Sequence, residues 1–169
     1  MREACGFHHD FKGGSVHART LAAFLALALA PALAVAAPPP PASILKLANS
    51  VIHGTNTDDA SALTGLFTDD AVIVDENPPF VWHGAGAGAA WWHVVDAVTR
   101  KAKITHLKAI NIRLGEFKQS TTDAYMVQAM TITGSANGKP FAESGTLTYT
   151  FHNGGGSWLI SSMVWTTKP

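Results

Sequence analysis

Three segments of the chain carry apolar residues every three or four positions, the spacing of an amphipathic helix. The first starts near Ser43, the second is short and follows Asp58 or Asp59 as its cap, and the third follows the glycine run 84–88. The pattern therefore predicts three helices. Their apolar positions are Ile44, Leu45, Ala48, Val51 and Ile52 in the first, Ala60, Leu63, Leu66 and Phe67 in the second, and Ala87, Trp91, Val94, Val95 and Val98 in the third.

Alternating apolar and polar residues, the period of a β-strand, occupy Ala71–Asp75 and nearly all of the chain after Ile104. The segment Glu76–Pro79 is a predicted loop, because neither of its prolines can donate a ladder hydrogen bond. Turns at Asn137-Gly138 and at 153–156 divide the later part into four antiparallel strands. This order of elements predicts an α+β fold, with three helices on one face of a curled antiparallel sheet.

Two of these strands are apolar on both sides, which leaves an outer face to be covered. We assign six residues to that face: Met126, Met130 and Ile132, which oppose the side of Tyr125, and Leu159, Met163 and Trp165, which oppose the side of Trp158. The sequence offers no further helix as a cover, so we predict a homodimer packed sheet to sheet. A monomer in light scattering at high micromolar concentration would contradict this.

The N-terminal region has the organisation of a signal peptide. Arg19 precedes an apolar run that ends in the small-x-small sequence Ala34-Val35-Ala36, so we predict cleavage after Ala36 and a periplasmic or secreted protein. An uncleaved anchor is the alternative, although Pro31 interrupts a run shorter than the roughly 20 residues that span a bilayer. The predicted organisation is a signal peptide at 1–36, a proline-rich spacer at 37–42 and one domain at 43–169.

Composition narrows the classes of partner. The full chain has 12 basic and 12 acidic residues, and removal of the leader leaves nine and ten, so the mature net charge is −1 and nucleic acid is not an expected partner. No membrane association is expected after cleavage. Cys5, the one cysteine, is lost with the leader, which excludes disulfides, thiolate ligands and a cysteine nucleophile from the mature protein. Hydrophobic residues make up 47% of the chain, enough for a packed core.

The stretch from Leu66 to Asp75, LFTDDAVIVD, together with the order of elements, resembles the nuclear transport factor 2-like superfamily, of the SnoaL and ketosteroid-isomerase type. The resemblance covers Ser43 to Thr167, and segments 75–80 and 82–87 are similar to a secreted bacterial subgroup. It implies a cone-shaped, cystatin-like half-barrel with an apolar pocket between sheet and helices. It does not imply one chemistry, because this fold carries several.

The ketosteroid-isomerase site transfers only in part. The general-base aspartate of that family matches Asp75, but its oxyanion-hole tyrosine falls at Val51 and its protonated aspartate falls near Leu147. An enolate without hydrogen-bond donors is not a competent intermediate. The resemblance therefore argues against steroid isomerisation by that mechanism.

Asp75 and His83 are the candidate catalytic residues. If Asp75 faces the pocket, Glu76 faces away by strand alternation, and burial would make Asp75 a general base. The alternative is that Asp75 binds backbone N–H groups of the proline loop. Imidazole side chains exchange protons readily at neutral pH. His83 is therefore a candidate to shuttle protons or to pair with Asp75, and the alternative is that it bonds the loop.

Four aromatic residues are candidate ligand-binding walls, with plain core as the alternative: Phe80, Trp82, Trp91 and Tyr149. No metal site is expected from Asp75, Glu76, His83 and His93, which lack the spacing of zinc ligands. The glycines of the run 84–88 are two residues apart and follow no predicted strand, so no dinucleotide cofactor is expected.

The leading hypothesis is an exported domain that binds a small apolar or aromatic molecule, with Asp75 as polar anchor. The alternatives are an isomerase, dehydratase or cyclase that uses Asp75 as base and His83 as acid, and a dimeric assembly or partner-binding module.

Overall fold

A computed structural model describes residues 38–168. The predicted signal peptide at 1–36 and its cleavage site lie outside the described residues and stay predictions. The elements are α1 (Ala42–Thr57), a 3-10 turn (Ala60–Leu63), β1 (Phe67–Val74), β2 (Val81–His83), α2 (Ala87–Lys101), β3 (Ile104–Gln119), β4 (Asp123–Ala136), β5 (Lys139–Asn153) and β6 (Trp158–Thr167).

The short second helix of the prediction is a single 3-10 turn. Asp59 is its cap, because its Oδ1 accepts hydrogen bonds from the backbone N–H of Ser61 at 2.9 Å and of Ala62 at 3.3 Å. Asp58 instead lies just past α1 with a positive φ of 55°. The sequence left these two aspartates as alternatives, and the structure selects the second.

Six strands form one sheet in the order β2-β1-β6-β5-β4-β3. All neighbours are antiparallel except β1 and β6, which run parallel, so the sheet is mixed and the prediction of an antiparallel sheet is right only in part. Strand β2 was not predicted, because three residues between prolines and glycines are too few for alternation to be read, and it directly precedes the glycine run. Its pairing with the end of β1 turns the chain back along the sheet edge.

The assignment of the outer face is wrong for most of its residues. Directly opposed residues on antiparallel strands share a face, and Met126 pairs with Tyr149, which pairs with Met163. All three are buried, so this is the inner face, on which the helices pack. Met130, Ile132 and Trp165 lie on this face as well; Leu159, opposite exposed His152, does not.

The outer face carries small and β-branched residues. Val127 pairs with Thr148, which pairs with Val164, and each is half-buried. The outer face is therefore not strongly apolar, contrary to the prediction. The homodimer is not tested by the fold and is taken up below with these residues.

Both helices lie against the inner face and close it. Ile44, Ala48 and Val51 of α1 are buried, as are Trp91 and Trp92 of α2. Within the described residues no helix has the length and apolar character needed to span a bilayer. The space that the two helices leave above the sheet forms the site.

Candidate functional site

A cavity of about 250 Å³ lies between α1, α2 and the inner face of the sheet. Its walls are mostly aliphatic and aromatic, and half of its polar residues come from the loop after β1. The lining residues are Val51, Ile52 and Thr55 of α1; Asp75, Glu76 and Asn77 of the loop; Trp91, Trp92, Val95, Val98 and Thr99 of α2; and Ile104, Leu107, Ala109, Ile132, Phe141, Glu143, Leu147 and Trp165 of the sheet.

Asp75 is the most buried charged residue of this lining, with 7% of its surface exposed. Its Oδ1 accepts hydrogen bonds from the backbone N–H of Asn77 at 2.9 Å and from Asn77 Nδ2 at 2.7 Å. Its Oδ2 accepts one from Trp91 Nε1 at 3.0 Å. Asp75 therefore lines the cavity, binds the backbone N–H of the loop as its structural alternative predicted, and also holds the loop to α2.

Glu76 lines the cavity too, although strand alternation predicted that it would face away. The reason is that β1 ends at Val74, so the two-residue period does not extend to positions 75 and 76. The hydroxyl of Thr167 lies 2.7 Å from Glu76 Oε2 and 3.2 Å from Glu143 Oε1. The hydroxyl thus brings two carboxylates together at the rim of the cavity.

Two tryptophans of α2 form one wall, with ring centroids 5.9 Å apart and planes tilted by 54°. Trp91 is held by Asp75, and Trp92 Nε1 donates to Asp58 Oδ1 at 3.2 Å. Arg100 in turn bridges Asp58 and Asp96, and the hydrogen bond that it donates to Asp96 raises the pKa of the Arg100 guanidinium. Each indole therefore donates to a carboxylate outside α2, and these two hydrogen bonds give the cavity a preformed wall.

Of the six candidate site residues, the structure brings two to the cavity: Asp75 and Trp91. Trp82 is buried in the core outside the lining, and Phe80 is 53% exposed with a φ of 72°. His83 is exposed and pairs with Val72, on the face opposite to that of buried Ile73 and Trp82.

The predicted pairing of Asp75 with His83 does not occur. The side-chain partners of Asp75 are Asn77 and Trp91, and alternation along β2 directs His83 away from the core side on which Trp82 lies.

Tyr149, predicted as a wall, lies in the core below the cavity. It is 0% exposed, stacks on Phe151 with ring centroids 5.6 Å apart, and is not among the lining residues. Burial raises the pKa of its hydroxyl above the usual range. The hydroxyl has no hydrogen-bond partner among the described residues.

Several lining residues were missed as site candidates. Phe141 and Leu147 lie in the alternating segment after Ile104 but were not predicted as a wall, and Trp165 was assigned to the outer face. Glu143 carried no signal, because only its register opposite Ile132 places it at the cavity. In the part of the chain that the structure describes, no group of three His, Cys, Asp or Glu residues is arranged to hold a metal ion.

A family model described as a SnoaL-like domain matches residues 41–164. The chain belongs to this family. Residues 41–164 span both helices and nearly the whole sheet, so the match includes all of the lining residues of the cavity except Trp165. A search of curated proteins finds no match to this SnoaL-like domain.

Solved structures similar to this SnoaL-like domain include a hexachlorocyclohexane dehydrochlorinase from Novosphingobium barchaimii, 14% identical, with a TM-score of 0.65 over 76% of this chain and 86% of that chain. A ketosteroid isomerase-like protein from Erwinia carotovora is 19% identical, with a TM-score of 0.62 over 76% and 96%. A protein with a cystatin-like fold from Caulobacter vibrioides is 16% identical, with a TM-score of 0.60 over 75% and 88%. At these identities the similarity shows the α+β, cystatin-like fold and not a shared reaction.

The positions matched to the oxyanion donors of ketosteroid isomerases both line the cavity. Val51 and Leu147 present apolar side chains there and donate nothing. The lining of this SnoaL-like domain thus holds an aspartate and apolar walls where that mechanism needs two additional donors.

Proposed function

We propose that this SnoaL-like domain binds a small organic molecule with an apolar or aromatic body in the cavity between the helices and the sheet. The observation that carries the proposal is the cavity itself, with its aromatic and aliphatic walls and its polar groups grouped at the loop after β1. Ligand sites of proteins combine such walls with a few placed polar groups. The volume of about 250 Å³ lies just below the common range of about 300–1,000 Å³, which favours a compact ligand.

Asp75 has a supporting role in this proposal that differs from the predicted anchor. Its two oxygens already accept three hydrogen bonds, from Asn77 and from Trp91. The carboxylate therefore orients the indole of Trp91 as a wall and keeps one lone-pair direction free for a ligand donor. Preorganisation of this kind lowers the entropy that a ligand would otherwise lose in ordering the site.

Filling the cavity is expected to abolish binding without unfolding the protein. Ala109 lines the cavity from β3, and phenylalanine there would occupy much of its volume. The control Ala102→Phe makes the same change at an exposed position just after α2. A thermal-shift screen with small aromatic and alicyclic compounds should give hits that raise the melting temperature of the protein and of the control, but not of Ala109→Phe. Equal shifts for both variants, or no hit at all, would contradict the proposal.

An acid–base enzyme of isomerase, dehydratase or cyclase type is a second proposal. The observation that favours it is the pair of carboxylates that meet at Thr167, because carboxylates at the rim of a cavity can take a proton from a bound molecule or return one to it. Every hit from the screen is therefore followed for product by NMR. An enzyme would lose turnover in Glu143→Gln while it still bound the compound; absence of product from every hit would leave binding as the function.

We propose, in addition, that two copies associate through the outer face of the sheet. Its centre carries Val127, Thr148 and Val164, all uncharged and half-buried, and Val74 and Val81 extend it toward the sheet edge. Light scattering should report a dimer for the protein and a monomer for Thr148→Arg. The exposed loop variant Thr64→Arg should stay dimeric, and a monomeric unmodified protein would refute the association.

A further inference from the structure

The charge of the cavity has one sign. Its lining includes the carboxylates of Asp75, Glu76 and Glu143 and no lysine, arginine or histidine. The ion pairs within residues 38–168 join Arg100 to Asp58 and Asp96, Lys118 to Glu116, and His152 to Asp123, and none includes a lining carboxylate. The negative charge of the cavity is therefore not neutralised by a basic side chain of the described chain.

The burial of Asp75 also favours a cation in the cavity. More than nine-tenths of its surface is buried, and every hydrogen bond that its side chain makes is accepted from a neutral donor. A carboxylate removed from water without a counter-charge is costly, and a cation in the adjacent cavity would offset that cost. This residue lines the cavity, so a ligand cation could approach it there.

Glu76 and Glu143 are an independent reason to expect a cation at the cavity. Both approach the single hydroxyl of Thr167, which has one proton and can donate it to only one of them at a time. The second carboxylate is left beside the first without a proton between them, and like charges at such range repel. A positively charged group at this rim would attract both.

The walls beside these carboxylates suit an organic cation. Trp91, Trp92, Trp165 and Phe141 line the same cavity, and aromatic faces attract ammonium groups through their quadrupole. The donor arrangement among the described residues does not form a three-ligand metal group. Carboxylates together with aromatic and aliphatic walls match a molecule that has an ammonium group on an apolar body.

We propose that the cavity selects small organic ammonium compounds over neutral and anionic molecules of the same shape. This inference rests on the proposed binding function and names the class of ligand. The ammonium group lies toward Glu76 and Glu143 at the rim, where it stays partly hydrated. The apolar body lies against the tryptophans of α2.

A matched series of three probes tests the charge. The probes are 3-phenylpropyltrimethylammonium, its neutral isostere (4,4-dimethylpentyl)benzene, and 4-phenylbutanoate, and binding is followed by the fluorescence of the lining tryptophans. The cation is expected to bind about tenfold or more tightly than the isostere, since it gains both cation–π and carboxylate attraction. Added salt should weaken the cation and not the isostere, and the anion should show no binding.

Charge-removal variants assign the effect to the rim. The double variant Glu76→Gln, Glu143→Gln retains acceptors for Thr167 and should remove most of the preference for the cation, because only Asp75 and the aromatic faces still attract it. Glu116→Gln removes one negative charge at an exposed site outside the lining and is the control, in which all affinities should be unchanged. Circular dichroism checks that both variants are folded.

The outcomes separate the two proposals. If the isostere binds as tightly as the cation, the inference about charge is overturned and the binding function stands. If the double variant is folded and its preference for the cation is undiminished, the assignment to Glu76 and Glu143 is overturned. If no probe binds, the binding function fails for this ligand size as well, and if calcium or magnesium displaces the cation, the rim is a metal site.

Discussion

Replacement of Asp75 by asparagine is expected to lower the free energy of unfolding by about 2 kcal/mol, measured by urea denaturation. Asp75 accepts hydrogen bonds on both oxygens, two from Asn77 and one from Trp91. Asparagine has only one acceptor oxygen, so its amide N–H groups would point at a buried donor of one partner or the other. A buried donor left without an acceptor costs about 1–3 kcal/mol.

Glu76→Gln is the matched control for this substitution. It makes the same chemical change one residue further along, at an exposed side chain whose partner is a hydroxyl that can rotate to donate or accept. Its free energy of unfolding should change by less than about 0.5 kcal/mol. Equal stability of Asp75→Asn and the control would show that the contacts of Asp75 do not hold the loop.

The second large effect is expected at Gly145. A Cβ placed there would lie 2.5 Å from the backbone oxygen of Thr166 and 2.6 Å from Cη2 of Trp165, both on β6. Gly145→Ala therefore forces β5 and β6 apart and should lower the free energy of unfolding by about 2–3 kcal/mol, a cost typical of overpacking. The control is Gly154→Ala, where the nearest atoms belong to His152 at 3.5 Å and little change is expected.

Gly145→Ala also has a consequence for binding, because Trp165 lines the cavity. An indole displaced by the new methyl group has the cavity as its nearest open space, so compounds that stabilise the unmodified protein should bind the variant more weakly. A folded variant with unchanged stability and unchanged ligand affinity would show that β6 gives way without moving the indole.

Much of the fold follows from local patterns. The first and third helices begin within a residue or so of their predicted starts, because a proline-rich spacer and a glycine run set those positions. The strands after Ile104 were found by alternation and by the turn at Asn137-Gly138. The direction of β1 relative to β6 was not, since no local signal links strands so far apart in the sequence.

The inner side of β4 was misassigned for a physical reason that the structure explains. Both sides of this strand carry apolar residues, and the buried side also holds Gln128, a polar residue between Met126 and Met130. Alternation alone gives two sides without saying which one the helices cover. Gln128 pairs with Leu147, which lies on the buried side of β5, so the side of β4 that carries Gln128 is the inner one.

The candidate site was predictable only where it is local. Asp75 was predictable because it comes directly after an apolar strand, and Trp91 was predictable because it lies on the buried stripe of α2. Phe80 was assigned to the cavity, but the turn in which its N–H donates to Asn77 O at 2.8 Å directs it to solvent. Glu76, Glu143 and Thr167 come from three separated segments, so only the folded sheet brings them together.

The parallel pairing of β1 with β6 limits the order in which the strands of this domain can pair during folding. Until β6 has been synthesised, the only sheet partner available to β1 is the three-residue β2, and a ribbon of that size is marginal in water. The contact between Phe67 and Ile160 spans most of the domain, so its loop must close before the rest of the β1–β6 ladder can add stability. Folding is therefore expected to be slow for a domain of this size.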